Sequence, residues 1–409
     1  METMYSDCCG LDVHKEDVWA CVRHLEGGKV RQQVRRFGTH TSQLLALGDW
    51  LAEERVSHVA MESTGVYWKP VYNLLEDRFT TMVVNAREIK QVPGRKTDVA
   101  DCQWIAQLLQ HGLLRASFVP DRPQRELRDL TRQRVQLISE RARVVNRVQK
   151  ILEDANIKLA SVASDVMGVS GRKLLQSIIA GQNDATALAE LAHRRMRSKI
   201  PQLREALWGR VTEHHRFMLR MLLDQIEHLE KQIRAFDDRI DEALGPFERE
   251  AVERLDTIPG VDHRAAQNII AEIGADMSHF PSERHLCSWA GLSPGNHLSA
   301  GKRKRGRMTD GNRWLKRTLT QTAWAATRTK DTYLSAQYRR LAGKRGRKRA
   351  VMAVAHSQLA SAYWLLSRAT DYVDLGASHF DKLNGERRKH YLLAQLKRLG
   401  YEVALTPAA

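Results

Sequence analysis

Hydrophobic and polar positions in the first 114 residues follow two periods, which together predict an α/β domain. Five short runs rich in Val, Cys and Thr have the composition of β-strands, at residues 8–11, 18–22, 30–37, 58–61 and 80–84. Apolar residues recur at helical spacing in three segments, at residues 42–53, 66–76 and 98–114. Three successive strands followed by alternating helices and strands favour an RNase H-like, or RuvC-like, domain.

Two long helices are predicted after Pro120 and Pro123, which end the α/β pattern. The second helix carries apolar residues in steps of three and four, at Leu219, Leu222, Ile226, Leu229, Ile233, Phe236 and Ile240. This spacing predicts the seam of a coiled coil. We interpret the seam as a dimerisation surface, because it is longer than a hairpin within one chain needs. Packing of the two helices against each other is the alternative.

The first long helix, at residues 127–152, has a less regular apolar stripe made of Leu127, Leu130, Leu137, Val144, Val148 and Ile151. A row of arginines accompanies it, at Arg125, Arg128, Arg132, Arg134, Arg141, Arg143 and Arg147. The arginines form either a solvated helix face or a face that contacts RNA or DNA, and the sequence favours neither.

A helical C-terminal region follows Gly245 and Pro246, which end the long helices. Its first motif, Ile258-Pro-Gly-Val261 before a helical run, is similar to half of a helix-hairpin-helix, which meets phosphate with backbone amides. The sequence therefore predicts an α/β plus all-α fold. Its three domains are an N-terminal α/β domain, a coiled-coil region and a helical C-terminal domain, at residues 1–120, 121–247 and 248–409.

Two segments rich in Lys and Arg are predicted as loops of the C-terminal domain. The first, at residues 293–311, precedes a helix that begins near Asn312 and carries Lys302, Arg303, Lys304, Arg305 and Arg307. The second precedes an apolar helix at residues 350–366 and carries Lys344, Arg345, Arg347, Lys348 and Arg349. Because clustered cations attract nucleic-acid phosphates, both loops are predicted to bind nucleic acid.

The overall charge also favours a nucleic-acid partner. Lys and Arg number 65 against 48 Asp and Glu, which gives a formal net charge of +17. Five scattered cysteines without zinc-type spacing indicate a reducing compartment rather than a disulfide framework. The first residues lack a signal-peptide pattern, and no apolar run approaches membrane-spanning length. We therefore expect a cytoplasmic protein without a membrane partner.

Four acidic residues stand where an RNase H-like fold brings side chains to one point. Asp12 ends the first predicted strand, and Glu62 ends the fourth. Asp98 and Asp101 open the helix after the fifth strand, three residues apart and so on one face. Considered alone, each acid has an ordinary structural explanation, at the start of a turn, at the end of a strand or near a helix N-terminus. Together they predict a Mg²⁺ site, because strand-cutting enzymes use converging carboxylates to hold this ion.

Motifs in a fixed order along residues 5 to about 330 resemble those of the IS110 family of insertion-sequence transposases. They are GLDVHK, MESTGVYWKP, VVNAREIK, GRKTDVAD, TIPGV, AGLSPG and SAGKRKRGRMTDGN. The resemblance implies a DEDD domain similar to RuvC resolvases and a C-terminal transposase domain. It matches the four catalytic acids to Asp12, Glu62, Asp98 and Asp101, and a catalytic serine to Ser299.

The same resemblance implies the partners of the protein. Family members are recombinases guided by a structured non-coding RNA of their own element, the bridge RNA, which pairs with donor and target double-stranded DNA. They act as multimers in which the carboxylates of one subunit meet the serine of another. We therefore expect a homo-oligomer, a dimer that forms a tetramer in the synaptic complex.

Ser299 is chemically suited to be a nucleophile, because a phosphoserine link conserves the energy of the broken bond for rejoining. Cations suited to hold the scissile phosphate lie nearby, at Lys302, Arg303, Arg305 and Arg307. The alternative is a serine in a flexible basic loop that only touches backbone phosphate. Ser293 competes for the role, although its place before Pro294 is typical of a turn.

Two other functions stay open at the level of sequence. One is a RuvC-like endonuclease, in which the carboxylates direct water to hydrolyse DNA junctions. The other is a non-catalytic RNA-binding scaffold that retains the acids without using them. A covalent protein-DNA adduct distinguishes the recombinase from the endonuclease, and loss of strand exchange on replacing the acids distinguishes it from the scaffold.

Overall fold

The computed structural model describes residues 3–63, 65–85, 98–293, 297–299, 302–304, 308, 310–380 and 385–404. Side chains are described throughout these ranges except at residues 297–299, 302–304 and 386–388, where only the backbone is. The chain forms two compact units, Met1–Pro120 and Asp121–Ala409. The further division expected at residue 247 stays a prediction.

The first unit is an α/β domain built on one mixed sheet of five strands. The strands are β1 (Asp7–Val13), β2 (Asp17–Glu26), β3 (Lys29–Gly38), β4 (His58–Glu62) and β5 (Thr80–Val84). The helices are α1 (Thr41–Glu53), α2 (Trp68–Leu75) and α3 (Asp98–Gln110). The order is β3-β2-β1-β4-β5, antiparallel from β3 to β1 and parallel from β1 to β5. The α/β domain predicted from the sequence is confirmed.

The central strand β1 separates two hydrophobic cores. The core that includes residues of α1 and α2 takes the odd-numbered side chains Cys9, Leu11 and Val13. Cys8 packs on the opposite face, in a core with Ile105 of α3. Because successive residues of a strand point to opposite faces, Gly10 and Asp12 share the face of Cys8. The chain thus places Asp12 on the side of the sheet that α3 covers.

Gly10 allows α3 to approach β1 closely. A Cβ atom at this position would stand 2.3 Å from the backbone nitrogen of Ala106 and 2.5 Å from the carbonyl oxygen of Cys102. Any side chain must therefore displace the helix that carries Asp98 and Asp101. We expect Gly10→Ala to lower the free energy of unfolding by about 1–3 kcal/mol, as measured by urea denaturation followed by circular dichroism.

Gly38→Ala is the matched control for this prediction. Gly38 ends β3 in the same sheet, and a Cβ atom there would meet only the side chain of Gln43, at 3.5 Å. We expect its free energy of unfolding to stay within about 0.5 kcal/mol of the wild-type value. Equal losses in the two variants would contradict the role assigned to the close contact at Gly10.

In the residues that the structure describes, the second unit is helical apart from one short hairpin. It begins with α4 (Arg122–Asp154), α5 (Leu159–Val162), α6 (Val169–Ile179), α7 (Ala185–Glu190), a 3-10 helix (Arg194–Lys199), α8 (Ile200–Ala206) and α9 (Glu213–Ala243). It continues with α10 (Pro246–Asp256), α11 (His263–Ile273), α12 (Glu283–Trp289), β6 (His297–Ser299), β7 (Lys302–Lys304), α13 (Arg313–Ala326), α14 (Tyr333–Arg345), α15 (Arg347–Arg368) and α16 (Gly385–Arg398). Among the helices described, none is both long and apolar enough to cross a membrane.

The long helices α4 and α9 pack against each other in opposite directions. The direction follows from three side-chain pairs between them, Arg134 with Asp237, Arg141 with Glu230 and Asp154 with His215. As the residue number rises along α4, it falls along α9. The two helices therefore form a hairpin within one chain, and the short helices α5 to α8 lie in the connection between them.

The apolar seam of α9 is buried inside this hairpin. Six of its seven members are each 7% exposed or less in the single chain, at Leu219, Leu222, Ile226, Leu229, Ile233 and Ile240, and Phe236 is partly buried. Most of them share one core with Leu137, Val144 and Val148 of α4. The interpretation of this seam as a dimerisation surface was wrong, because the irregular stripe of α4 already covers it. The intramolecular alternative accounts for the spacing.

Several arginines of α4 bind groups of the same unit. These arginines therefore form neither a solvated helix face nor a face that contacts nucleic acid. Arg134 is 1% exposed and donates hydrogen bonds to Asp237, Gln267 and Asn268. It thereby joins α4 to α9 and α11. Other arginines of the row pair with Glu230 or with the end of α11, at Arg128, Arg132 and Arg141. Periodicity alone did not reveal these partners.

The second basic segment is mostly helical, whereas the sequence predicted a loop. Lys344 and Arg345 form the last turn of α14, and residues 347–349 form the first turn of α15. Only Gly346 interrupts the helices, with a φ of 82° that favours glycine. Lys and Arg have good helix propensity, so a single glycine sufficed to separate two helices without a loop.

Candidate functional site

Asp12 lies near the end of β1, and its side chain is only 8% exposed. Burial raises the pKa of its carboxyl above the ordinary value. The charge and hydrogen bond of His14 oppose this rise, whereas the carboxylates of Asp101 and Asp98 add to it. A buried acid close to other acids is an environment that a bound cation would relieve.

Asp12, His14 and Asp98 place three potential metal-binding atoms together. The Nε2 atom of His14 is 3.0 Å from Oδ2 of Asp12 and 3.6 Å from Oδ1 of Asp98. One ligand atom from each residue lies within 4.8 Å of both others. The side chains of His14 and Asp98 are 43% and 54% exposed, so solvent reaches the cluster from their side. The geometry fits a site for one divalent cation.

The other two predicted acids lie on the elements that frame this cluster. Asp101 lies three residues after Asp98 in the first turn of α3, and its negative charge helps to raise the pKa of the Asp12 carboxyl. Glu62 is the last residue of β4, which runs parallel to β1 with Met61 beside Leu11. The parallel neighbours β1 and β4 therefore end beside each other, β1 at Asp12-Val13 and β4 at Glu62. The assignment of all four acids as ligands stays a prediction.

His14 is the member of the cluster that the carboxylate-based prediction missed. It follows Asp12 by two residues, the spacing that returns a side chain to the same face of a strand. Its backbone nitrogen donates to the carbonyl oxygen of Asp17 at 2.9 Å, in the turn between β1 and β2. The signal was present in GLDVHK, but it is weak because β1 ends at Val13.

Ser299 is the last residue of β6, in a short hairpin that was predicted only as a loop. Its backbone pairs with that of Lys302 in β7. The side chains of Ser299, Lys302, Arg303 and Lys304 are not described, and Arg305 and Arg307 lie outside the described residues. Their predicted roles as nucleophile and phosphate-binding cations therefore stay predictions.

The two ends of the segment that carries this hairpin meet at their backbones. A Cβ atom on Gly311 would stand 2.2 Å from the backbone nitrogen of Gly291 and 2.3 Å from the carbonyl carbon of Ala290. Only a residue without a side chain permits this approach. The segment at residues 292–310 is therefore closed at its base by direct backbone contact.

Asn312 anchors the C-terminal end of the same segment. Its Oδ1 atom accepts hydrogen bonds from the backbone nitrogens of Trp314 and Leu315 and so caps α13. Its Nδ2 atom donates to Oε2 of Glu272 at 2.5 Å. Glu272 is 2% exposed and accepts two further bonds from Arg132, both at 2.7 Å. This buried network fixes where α13 begins.

The second predicted nucleic-acid-binding group is exposed. Three of its cations, Arg347, Lys348 and Arg349, occupy the first turn of α15, where the helix dipole disfavours positive charge. Arg345 lies just before them, at the end of α14. A phosphate near this turn would offset both the dipole and the mutual repulsion, by contact with the cations and the backbone amides.

Two protein-family models match the chain. A model of DEDD transposases of the IS110 type, described as a transposase, matches residues 9–157. A model described as a transposase of the IS116/IS110/IS902 family matches residues 252–339. No curated protein sequence matches the chain. The first matched region contains the Asp12 cluster, and the second contains Ser299.

The chain is thus a transposase of an insertion sequence, an enzyme class that cleaves and recombines DNA. It belongs to the IS110 family. This finding confirms the family resemblance identified from the ordered motifs.

Proposed function

We propose that this transposase is an RNA-guided recombinase that exchanges DNA strands through a phosphoserine at Ser299. Its RNase H-like domain holds Mg²⁺ with four carboxylates, those of Asp12, Glu62, Asp98 and Asp101. The cluster of Asp12, His14 and Asp98 within the matched transposase region carries this proposal. The strand order β3-β2-β1-β4-β5, with three antiparallel strands and two parallel additions, supports the RNase H-like assignment.

The donor atoms of the cluster suit a hard divalent cation. Asp12 and Asp98 supply carboxylate oxygens, the ligands that Mg²⁺ prefers. Asp101 adds negative potential at Asp12, and Glu62 ends the neighbouring strand. A divalent ion held by these residues would supply activation of the attacking oxygen and stabilisation of charge on the phosphate. Solvent reaches the cluster from the side of His14 and Asp98, so DNA could approach a bound ion from that side.

In the proposed reaction the Ser299 hydroxyl attacks a DNA phosphate. A bond forms between Oγ and phosphorus, while the bond from phosphorus to one deoxyribose oxygen breaks. The hydroxyl proton leaves Oγ, and the departing oxygen becomes a hydroxyl group of the cut strand. Attack by a hydroxyl of the exchanging strand reverses these steps and restores the serine. The number of phosphate ester bonds is unchanged, so strand joining needs no external energy source.

The positive charge of the chain supports the proposed partners, which are donor and target double-stranded DNA and the element's bridge RNA. The phosphate-binding cations that we propose are Lys302, Arg303, Lys304, Arg305, Arg307, Arg345, Arg347, Lys348 and Arg349. The protein acts in the cytoplasm as a homo-oligomer, a dimer that forms a synaptic tetramer. Because the α9 seam is buried within the chain, another surface must mediate this association.

The proposal is tested by trapping the covalent intermediate. Wild-type protein, a candidate bridge RNA from the DNA flanking the gene, and end-labelled donor DNA are incubated with Mg²⁺ and denatured. We expect labelled DNA that migrates with the protein and is released by protease. Ser299→Ala is expected to lose this adduct entirely, because no other group then supplies the attacking oxygen.

Ser293→Ala is the matched control, because it removes a serine hydroxyl at the start of the same segment. It is expected to keep the adduct at roughly the wild-type level. Cleavage without any adduct in the wild type would favour the hydrolytic RuvC-like endonuclease. An unchanged adduct in Ser299→Ala would place the nucleophile elsewhere.

A further inference from the structure

His14 contacts both acids of the cluster through one atom. Its Nε2 is 3.0 Å from Oδ2 of Asp12 and 3.6 Å from Oδ1 of Asp98. We propose that His14 Nε2 is itself a metal ligand, so that the centre binds its cation with a mixed nitrogen and oxygen donor set. This inference rests on the proposed function only in taking the cluster as a cation site. It does not depend on Ser299 or on a guide RNA.

The distances fit ligation without movement of the backbone. Two ligands at right angles around an octahedral ion stand about 3 Å apart when each is about 2.1 Å from the ion. The separation between His14 and Asp12 equals this spacing, and the separation between His14 and Asp98 is slightly larger. A cation can therefore replace the hydrogen bond between imidazole and carboxylate with only small side-chain rotations.

The backbone at His14 is held by hydrogen bonds beside the cluster. Its backbone nitrogen is bonded to the carbonyl oxygen of Asp17, which closes the turn after β1. The next residue is also held, because Thr39 Oγ1 donates to the carbonyl oxygen of Lys15 at 3.1 Å. The imidazole is partly exposed above the buried carboxylate of Asp12. An entering cation thus meets His14 and Asp98 at the surface and Asp12 beneath them.

A nitrogen ligand changes which cations the centre prefers. Mg²⁺ favours oxygen donors, whereas imidazole strengthens the binding of Mn²⁺ and later transition metals. Direct ligation by His14 therefore predicts that Mn²⁺ binds more tightly than Mg²⁺ and that His14 contributes to this difference. If His14 only held Asp12 by a hydrogen bond, its replacement would weaken the binding of both ions by the same factor.

The test uses Mn²⁺ as a spectroscopic probe on the full chain, without nucleic acid. Pulsed electron paramagnetic resonance of bound Mn²⁺ is expected to show hyperfine coupling to an imidazole ¹⁴N. In protein grown with ¹⁵N-histidine this coupling changes to that of ¹⁵N. The His14→Gln variant is expected to lose it, and its Mn²⁺ affinity by calorimetry is expected to fall at least about tenfold. Its Mg²⁺ affinity should fall less.

His40→Gln is the matched control. His40 lies in the same unit, is exposed, and makes no capping hydrogen bond at the start of α1. The His40→Gln variant is expected to keep the coupling and both affinities.

Two outcomes overturn the inference, and either is compatible with intact strand exchange. One is bound Mn²⁺ without histidine coupling in the wild type, and the other is unchanged coupling in His14→Gln. Coupling in the wild type without any phosphoserine adduct supports the inference and contradicts the Ser299 mechanism. If His14→Gln fails to fold, the isotope experiment on the wild type keeps the inference falsifiable, because the absence of coupling to any of the 16 histidines overturns it.

Discussion

The Asp12→Asn variant is expected to lose strand exchange by at least about 10³-fold, because Lewis-acid stabilisation of a phosphate in flight contributes several kcal/mol. At the same time we expect its metal-free form to be more stable than the wild type. Burial and two neighbouring acids raise the pKa of the Asp12 carboxyl. The charged form is therefore disfavoured in the folded state, and asparagine removes that charge while keeping the shape.

The sign of the stability change depends on pH. A carboxyl whose pKa is raised on folding binds its proton more tightly in the folded state, so its ionisation opposes folding as pH rises. The gain in Asp12→Asn is thus expected in EDTA at neutral pH. It is expected to vanish in acid, where Asp12 is protonated in both folded and unfolded protein. Thermal unfolding at the two pH values measures the difference.

Asp49→Asn controls for the loss of one acidic charge in the same unit. Asp49 lies in α1, its side chain is 68% exposed, and it pairs with Arg78 at the surface. Because surface ion pairs contribute about 0–1 kcal/mol, this variant is expected to retain strand exchange and nearly wild-type stability. Retained strand exchange in Asp12→Asn would instead favour a scaffold that does not use its acids.

The Glu272→Ala variant is expected to lower the free energy of unfolding by about 3–5 kcal/mol, because it leaves buried or half-buried cationic groups without their counter-charge. Glu272 is 2% exposed and pairs with Arg132 and Arg128, whose side chains are 27% and 11% exposed. The substitution also removes the acceptor that holds Asn312 at the start of α13. Urea denaturation of both variant and wild type provides the measurement.

Glu250→Ala gives the matched comparison in the same unit. Glu250 is 57% exposed and pairs with Arg254 one helical turn away in α10. Exposed pairs of this spacing contribute about 0.3–0.5 kcal/mol, so its replacement should be nearly neutral. A loss below about 1 kcal/mol in Glu272→Ala would show that water compensates the arginines and that the network does not hold α13 in place.

The sequence predicted the α/β unit well because its strands differ in composition from the segments around them. Asp12 and Glu62 were found by a rule about strand ends, which needs only the order of elements. That rule contains no information about His14, since the residue lies beyond the last strand position. Its inclusion depends on how the turn between β1 and β2 directs the side chain towards Asp98.

The helical unit shows where periodicity is insufficient. The spacing of Leu229 and Ile233 correctly predicted a buried face, but the same pattern fits a second chain or a second helix of the same chain. The choice depends on whether α4 can cover the seam, and its own stripe was too irregular to reveal this. Likewise, the row of arginines on α4 gave no sign of Glu272 or Asp237, because ion pairs between distant elements have no local signature.

The backbone contact between Gly291 and Gly311 closes the base of the loop that carries Ser299, whatever side chains the loop contains. The two ends meet through backbone atoms, so this contact does not depend on the side chains of the residues between them. Evolution can therefore vary this segment, and with it the reach and phosphate contacts of the proposed nucleophile, while the backbone contact between Gly291 and Gly311 is kept. A hybrid that keeps the buried Leu292 and carries residues 293–310 from a relative should fold as the parent does, whichever DNA it then prefers.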